Sequence, residues 1–450
     1  MKRSFLLLAL AMGSLSALGQ QRMDLSLDQA ISYALEHNAQ IRVQSLEKKA
    51  AEKVLIQNIA LGLPSVSMGG NYTDNIELPA QFFDINQDGV IDKLQFGTRY
   101  NSVAGLSVNQ LVFDGSYIVA ILATNVLRDM AADSYEKATI DVREQVAQAY
   151  HLRVILGENL KALQATLANT ASTLKNLQAM QGEGFVSEDD VDQLSIVYHN
   201  LEANVANLES QSQIAEQLLK LQCGMAPETA LHLTTSLENL LVLAESGQAL
   251  LGVPFEVQNH IDYRQLSTNR KGQYLNLQNE KMQFLPKLYA GYGFNRQFVS
   301  ESANVFDPNG VSANNATFQS WNLSAQVPLF SSGRKIARVQ EQFIKLQELD
   351  ILLANTENAL TLQHAQARAD YANALKVYQI QVQNVSLSQR VMKNTEVKLI
   401  EGVASSMDYS QASSQYQQSV AAMLQAANNA LNKRVALEKS MGAYNLQTLE

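Results

Sequence analysis

The stretch GFVSEDDVDQLSIVY at residues 184–198 recurs in outline as GVASSMDYSQASSQY at residues 402–416. Glycine, serine, aspartate and tyrosine occupy equivalent places in both stretches, at one constant offset: Gly184, Ser187, Asp190 and Tyr198; Gly402, Ser405, Asp408 and Tyr416. A long segment without proline lies on either side of each stretch, so each stretch indicates a tight turn between two helices. The recurrence therefore predicts a duplicated fold with one helical hairpin in each half.

Further landmarks recur in the same order at nearly the same offset. Leu63-Pro64 recurs as Leu285-Pro286, and Phe113 recurs as Phe330. Gly224 recurs as Gly442, at the same offset as the glycine-serine stretches. This agreement predicts two quasi-equivalent structural units. The predicted divisions are a signal peptide at 1–19, a first repeat at 20–225, a connecting segment at 226–258, a second repeat at 259–444 and a tail at 445–450.

Segments without helix breakers make up most of each repeat. Residues 334–401 contain neither Gly nor Pro, and residues 116–181 contain only Gly157. The return segments 185–223 and 403–441 contain neither residue type, and all four segments are rich in helix formers. Leucines at three- and four-residue steps indicate a coiled-coil seam: Leu156, Leu160, Leu163, Leu167, Leu174 and Leu177. A helix of about 65 residues would be roughly 100 Å long, so each half is predicted to be an exceptionally long antiparallel hairpin.

Each repeat also carries two segments with the alternation of a β-strand. Apolar or small side chains fall on one parity: Val66, Met68, Gly70 and Tyr72; Ala104, Leu106 and Val108; Leu288, Ala290, Tyr292 and Phe294; Trp321, Leu323, Ala325 and Val327. An apolar face opposite a small polar face is typical of a membrane barrel with a water-filled lumen, and a soluble sandwich is the alternative. Strands of about 9 to 11 residues suffice to cross a bilayer when tilted. Four strands cannot close a barrel, so other copies of the chain are expected to complete it.

The beginning of the chain and its charge bear on location and partners. Lys2-Arg3, a short apolar core and Ala17-Leu18-Gly19 together predict a secretory signal peptide, whose core is too short to span a membrane. Removing residues 1–19 would take the net charge from -9 to -11, which argues against a nucleic-acid partner. Cys223 is the only cysteine and lies in an apolar helical run, so a buried unreactive thiol is expected.

The duplicated order of helix, strand, strand, helix and helix resembles the TolC-like outer-membrane efflux channels over about residues 24–444. The supporting features are the Leu-Pro entry to the first strand of each repeat, the segment NQLVFDG at residues 109–115 and the two glycine-serine tips. The resemblance implies a mainly α fold with β: duplicated long coiled-coil helical hairpins, plus four strands per chain that complete a trimeric twelve-stranded membrane β-barrel and a twelve-helix periplasmic α-barrel. It further implies a homotrimer in the lipid of the cell outer membrane, with a long periplasmic extension.

The resemblance also implies roles for the two helix tips. The tips would dock a periplasmic adaptor that sits on an inner-membrane pump, through Gly184, Phe185, Val186, Ser187, Gly402, Val403, Ala404 and Ser405. Asp408 and Asp190, each six residues past a tip glycine, would line a periplasmic gate as rings of carboxylates that favour cations. The alternative is that both aspartates are ordinary residues of a helix N-terminus, where a negative charge is stabilising.

One external loop resembles a calcium-binding loop. Asp84, Asn86, Asp88 and Asp92 place oxygen ligands at the first, third, fifth and ninth positions, with Gly89 at the sixth. The twelfth position is Gln95 and not Glu, and the loop joins two predicted strands, so an Asp- and Gly-rich surface turn is the alternative. The six histidines lack metal-ligand spacing, and the sequence offers no phosphate loop or nucleophile motif, so neither an enzyme nor a cofactor is expected.

The predicted function is a passive outer-membrane exit duct of a tripartite efflux or type I secretion system, energised by the inner-membrane pump through the adaptor. A non-transporting envelope protein, either a coiled-coil spacer or an adhesin, is the alternative class. A periplasmic adaptor has a similar helical hairpin, but adaptors carry further β-domains and are not duplicated along the whole chain.

Overall fold

A computed structural model describes residues 22–84, 89–304 and 314–442. In chain order the elements are β1 (Met23–Leu25), α1 (Leu27–His37), α2 (Ala39–Ala60), β2 (Ser65–Asp74), β3 (Ala80–Phe83), β4 (Asp92–Gln95), β5 (Tyr100–Phe113), α3 (Gly115–Gly182), α4 (Glu188–Cys223), β6 (Leu231–Leu233), α5 (Leu237–Ser246), α6 (Ile261–Met282), β7 (Lys287–Ser300), β8 (Asn314–Gln326), α7 (Arg334–Ile400) and α8 (Ser406–Ser440). Two short 3-10 helices, Gly247–Gly252 and Val257–Asn259, follow α5. The predicted signal peptide and tail lie outside the described residues.

The predicted long hairpins are confirmed. The outgoing helices α3 and α7 contain 68 and 67 residues, and the return helices α4 and α8 contain 36 and 35. Gly157 lies inside α3 without interrupting it, and the seam leucine Leu177 is fully buried. The described residues form two compact units, one from the described parts of 1–48, 131–267 and 351–450, the other from 49–130 and 268–350. Each unit thus combines segments of both repeats.

The mainly helical unit has a core where the chain start meets the hairpin helices. Val142, Val146 and Tyr150 of α3 are fully buried beside Leu219 and Cys223 of α4. Burial raises the pKa of the Cys223 thiol to about 12, which fits the expected unreactive cysteine.

Two short strands in the same unit were not predicted from the sequence. β1 pairs in parallel with β6, and the buried hydroxyl of Tyr150 holds both segments. This hydroxyl donates to the Leu25 carbonyl at 3.0 Å and accepts from the Thr235 amide at 3.2 Å. A three-residue strand is too short to show an alternation, so its place is evident only from the pairing and from the contact with Tyr150.

The return helices end at glycines in quasi-equivalent surroundings. Gly224, with φ of 74°, ends α4, and Gly442, with φ of 68°, follows α8. A Cβ at residue 224 would lie 2.5 Å from the His37 carbonyl oxygen, and one at residue 442 would lie 2.7 Å from the His260 Cα. Each glycine therefore lets a helix end pack against the main chain that starts another helix of its repeat.

Ion pairs at equivalent positions of α4 and α8 have the opposite order of charge. The pairs are Glu216–Lys220 and Arg434–Glu438, each closed at 2.9 Å. The cation of each pair also donates to a main-chain carbonyl of the connecting segment, Lys220 to Pro227 at 3.1 Å and Arg434 to Leu243 at 2.7 Å. Both return helices thus hold the connecting segment through a buried, paired cation.

Buried polar groups of the long helices hold the connecting segment at the end of α5. Glu438, the partner of Arg434, has a raised carboxyl pKa because burial penalises its charge. Tyr371 of α7 donates to the Ala244 carbonyl, next to the Leu243 carbonyl that Arg434 binds. A carbonyl buried there without a partner would be costly, so these donors stabilise the segment where it meets the long helices.

The other unit contains a four-stranded antiparallel sheet in the order β2-β5-β7-β8. Val66 pairs with Val108 in the first hairpin, and their equivalents in the second repeat, Leu288 and Ala325, pair in the second hairpin. The two hairpins therefore share one register. The strands contain 10 to 14 residues and are somewhat longer than predicted. A small hairpin of β3 and β4 between β2 and β5 was not predicted.

The register confirms the predicted two-faced sheet. One cross-strand row joins Val66, Val108, Tyr292 and Trp321, and the next joins Met68, Leu106, Phe294 and Gln319. The Tyr292 and Trp321 rings lie 4.8 Å apart on this apolar face. The opposite face carries serine, asparagine and glycine, and Ser67 and Ser107 share a hydrogen bond there at 2.7 Å.

The helix-end glycines generate a stability prediction. Gly224→Ala should lower the unfolding temperature, because alanine at positive φ costs about 1–2 kcal/mol and its Cβ would overlap the His37 carbonyl. Gly252→Ala is the matched control, since a Cβ there meets nothing within 4 Å and no positive φ is required. Thermal unfolding followed by circular dichroism measures both variants. Equal midpoints for the two would contradict the close-packing role of Gly224.

Candidate functional site at the two helix tips

The two tips share one backbone geometry. Gly184 and Gly402 have φ values of 80° and 75°, a conformation that favours glycine. The Gly184 amide donates to the Gln181 carbonyl, and the Phe185 amide donates to Met180 at 3.0 Å. The second tip repeats the pattern, with Gly402 bonded to Leu399 and Val403 bonded to Lys398 at 2.8 Å. The glycines therefore end α3 and α7 with the same left-handed cap.

Serine and aspartate then start each return helix. The Ser187 Oγ accepts from the Asp190 amide at 3.2 Å, and the Ser405 Oγ accepts from the Asp408 amide at 3.2 Å. The Ser405 amide and hydroxyl both donate to the Asp408 carboxylate, at 3.0 and 2.7 Å, which completes a capping box. Both aspartates thus take the helix-start geometry that the sequence offered as the alternative to a gate.

The two aspartates differ in what else they touch. The Asp190 carboxylate accepts from the Ser187 hydroxyl at 2.6 Å and, at 3.4 Å, from the Ser406 amide of the other tip. Asp408 is exposed and bonds only its own cap within the described residues. Asp190 therefore ties the two tips of one chain together, while the free side of Asp408 faces solvent.

Hydrogen bonding keeps both carboxylates ionised. The Ser405 hydroxyl holds the pKa of Asp408 below its ordinary value, and the Ser187 hydroxyl does the same for Asp190. A carboxyl group whose pKa is lowered by folding contributes to the stability of the fold at pH values above its ordinary pKa. That stabilisation is lost only as the pH falls through the lowered value. Both charges are therefore present at neutral pH.

Apolar side chains are displayed at the tips. Phe185 is 79% exposed and Val403, its equivalent in the second repeat, is 73% exposed. A Cβ at Gly184 or Gly402 would meet nothing within 4 Å. Beneath them, a cluster that includes Leu177, Val191, Leu194, Leu399 and Tyr409 packs the two hairpins together. The tips therefore combine a rigid base with an open apolar surface suited to protein contact.

The possible calcium loop is only partly described. Asn86 and Asp88 lie outside the described residues. The Asp84 carboxylate accepts from the Gly89 amide at 3.0 Å, as in a surface turn, and Asp92 begins β4 opposite Phe83. Across the residues that the structure describes, no group of three or more His, Cys, Asp or Glu is placed to hold a metal ion.

Sequence reasoning missed Ser406 and the buried polar groups. Ser406 corresponds to Glu188 in the first repeat, so the duplication gave no signal for its bond to Asp190. His151 is buried beside Asn432 at 3.2 Å, and burial lowers the pKa of its imidazole to about 4.

In the described ranges, no helix combines the length and apolar character needed to cross a membrane.

Comparisons with known proteins bear on both repeats. The family model described as "Outer membrane efflux protein" matches residues 30–224 and 274–443. No curated protein matches the chain by sequence. The structure is similar to the outer membrane protein VceC of Vibrio cholerae, with a TM-score of 0.68 and 17% identity over 93% of this chain and 96% of VceC.

Two further solved structures share the fold. The Campylobacter jejuni CmeC outer membrane channel has a TM-score of 0.70 and 15% identity, over 92% of this chain and 85% of that one. The open state of the Neisseria gonorrhoeae MtrE outer membrane channel also has a TM-score of 0.70 and 15% identity, over 93% and 89%. These similarities show the fold of a TolC-like channel, with long helical hairpins and a strand pair in each repeat.

Proposed function

Since this chain belongs to the outer membrane efflux protein family, we propose that it is the exit duct of a tripartite efflux or type I secretion system. It is an outer-membrane protein whose helices extend into the periplasm. In the proposed system the duct is passive, and an inner-membrane pump supplies the energy through a periplasmic adaptor. The family is one of efflux proteins and not of enzymes.

The two-faced sheet is the observation that carries the proposal. Over residues 65–73, 101–109, 289–299 and 316–324, the side chains on the polar face carry no charge. Serine, asparagine and glutamine would line a water-filled passage, and the opposite face, whose one charged side chain over these residues is Arg296, would meet lipid. Within the described residues β2 and β8 each have a strand partner on one side only. Unpaired edges are not stable in lipid, so the proposal requires β8 of one copy to pair with β2 of the next.

The internal pairing of β5 with β7 supplies the expected register of that contact. β5 corresponds to β8, and β7 corresponds to β2, at the offsets already established. Leu106 lies opposite Phe294 within one chain. The equivalent pair between copies is Leu323 opposite Tyr72. Three copies would then close a barrel of twelve strands.

This register is open to a cross-linking test. A Leu323→Cys, Tyr72→Cys chain should form disulfide-linked oligomers in the membrane, because directly opposite Cβ atoms in a sheet lie about 4.5–5.5 Å apart. Non-reducing electrophoresis detects the product. Cys223 does not compete, since it is buried and its thiol pKa is raised to about 12.

Two controls make the cross-linking result decisive. Leu106→Cys, Phe294→Cys should link within one chain and give no oligomer. Leu323→Cys, Val66→Cys places the second thiol six residues out of register and should not link. Equal oligomer formation by both inter-copy pairs, or none by the in-register pair, would contradict the proposed contact.

The tips are proposed to dock the adaptor, through the exposed Phe185 and Val403 and the glycine-serine segments around them. Gly184→Trp, Gly402→Trp should impair export while oligomer and membrane insertion survive, because the new side chains enter open space at the docking surface. The matched control is Gly184→Ala, Gly402→Ala, which places a non-glycine residue at the same positive φ values but adds only a methyl group. Export is measured in cells as efflux of a fluorescent substrate. Normal export by the tryptophan variant would refute the docking role.

Asp408 is proposed to form the periplasmic gate, with Asp190 tying the neighbouring tip in place. Three copies of an exposed, ionised Asp408 near one axis would attract cations. Asp408→Asn should weaken block by multivalent cations added from the periplasmic side and reduce the preference for cations. The amide oxygen can still accept from Ser405, so the helix start is retained.

Single-channel recording in a planar bilayer measures both properties and also tests the duct itself. Asp408→Glu keeps the charge and should retain cation block. Unchanged block and selectivity in Asp408→Asn would leave Asp408 as a helix-start residue only. If the wild-type protein gave no conductance, a non-transporting envelope spacer or adhesin would be favoured over a duct.

A further inference from the structure

The two repeats differ in charge where the strands lead into the long helices. The first residues of α7 include three bases, and the equivalent positions of α3 have none: Arg334, Lys335 and Arg338; Ser116, Tyr117 and Ala120. The entry to the helix also differs, because seven residues separate β8 from α7, whereas only Asp114 separates β5 from α3.

Two of the three bases are available for a partner. The Lys335 ammonium donates to the Gln283 carbonyl at 2.6 Å and lies 5.5 Å from the Phe284 ring, so it holds α7 to the end of α6. Arg334 and Arg338 are exposed and, four residues apart, lie on one side of the helix. Among the described residues, no hydrogen bond or ion pair involves the Arg334 side chain.

An exposed apolar segment leads directly to these arginines. Leu329 is 90% exposed and Phe330 is 88% exposed, in the short connection between β8 and α7. Apolar side chains followed by arginines are typical of the boundary between acyl chains and headgroups, where the long basic side chains reach toward phosphate. The connection lies at the end of the membrane sheet from which the periplasmic helices continue.

We propose that Arg334 and Arg338 bind the phosphate groups of anionic phospholipids in the periplasmic leaflet, with Leu329 and Phe330 among the acyl chains. The guanidinium group can bind phosphate with two parallel hydrogen bonds. Arg338 lies about 6 Å farther along the helix than Arg334. The headgroup layer is roughly 5–8 Å deep, so both side chains reach it. The inference rests on the outer-membrane location and not on conduction.

The first repeat indicates that a neighbouring copy would leave room for this contact. In the first repeat, Met282 and Leu285 pack against Gly115, at 3.1 and 3.2 Å from where its Cβ would lie. Ser116 and Ala120 nevertheless stay partly exposed there. A second copy placed in the same way beside Gly333 would likewise leave the side chains of residues 334 and 338 accessible to a lipid.

Lipid binding to the full-length protein in detergent tests the proposal. Native mass spectrometry measures the retention of added phosphatidylglycerol and phosphatidylcholine by the wild type and by Arg334→Ser, Arg338→Ala, which copies the residues of the first repeat. One basic residue near an anionic surface contributes about fivefold. The wild type should therefore prefer phosphatidylglycerol by about tenfold or more, and the variant should bind both lipids about equally.

Controls separate the site from general charge and from misfolding. Arg390→Ser, Lys393→Ala removes the same charge from exposed positions near the far end of α7 and should keep the wild-type preference. Arg334→Lys, Arg338→Lys keeps the charge and should retain most of the preference for phosphatidylglycerol. Inorganic phosphate at equal concentration should not displace the lipid. A preference that survives Arg334→Ser, Arg338→Ala, that is lost in the distant control, or that phosphate alone abolishes would overturn the proposal.

Discussion

The demand of lipid for fully paired backbone groups governs this structure. A strand edge exposed to acyl chains leaves amides and carbonyls without partners, at a cost of several kcal/mol for each group. The sheet of this chain has an apolar face and two edges, at β2 and β8, that lack a partner within the described residues. Its stability in a membrane therefore depends on further copies of the chain. The shared register of the two hairpins makes such copies geometrically compatible.

Duplication gives the two helix tips the same backbone geometry, but equivalent side chains in the two repeats make different contacts. At both tips the outgoing helix ends at a glycine with positive φ, and the return helix begins with a serine cap. Asp190 also reaches the amide of Ser406, whereas Asp408 stays within its own capping box and faces solvent. One aspartate thus joins the two tips, and the other keeps an exposed side. The bases at the start of α7 show the same divergence at the other end of the helix.

The sequence alone determined the features that depend on local periodicity. Segments without Gly or Pro predicted the bounds of the four long helices to within a few residues, because these two residues are the least favourable in a helix interior. Alternating side chains predicted which face of the sheet is apolar, since strand geometry places neighbours on opposite faces. The spacing of glycine, serine and aspartate predicted both tips.

Only the tertiary structure decided which distant groups meet. β1 and β6 are too short to show a period, and the Tyr150 hydroxyl holds them through Leu25 and Thr235, both far from it in the chain. The bond between Asp190 and Ser406 depends on the alignment of two separate hairpins, one from each repeat. Such contacts follow from how helices pack side by side, and no local pattern encodes a hydrogen bond between chain segments that far apart.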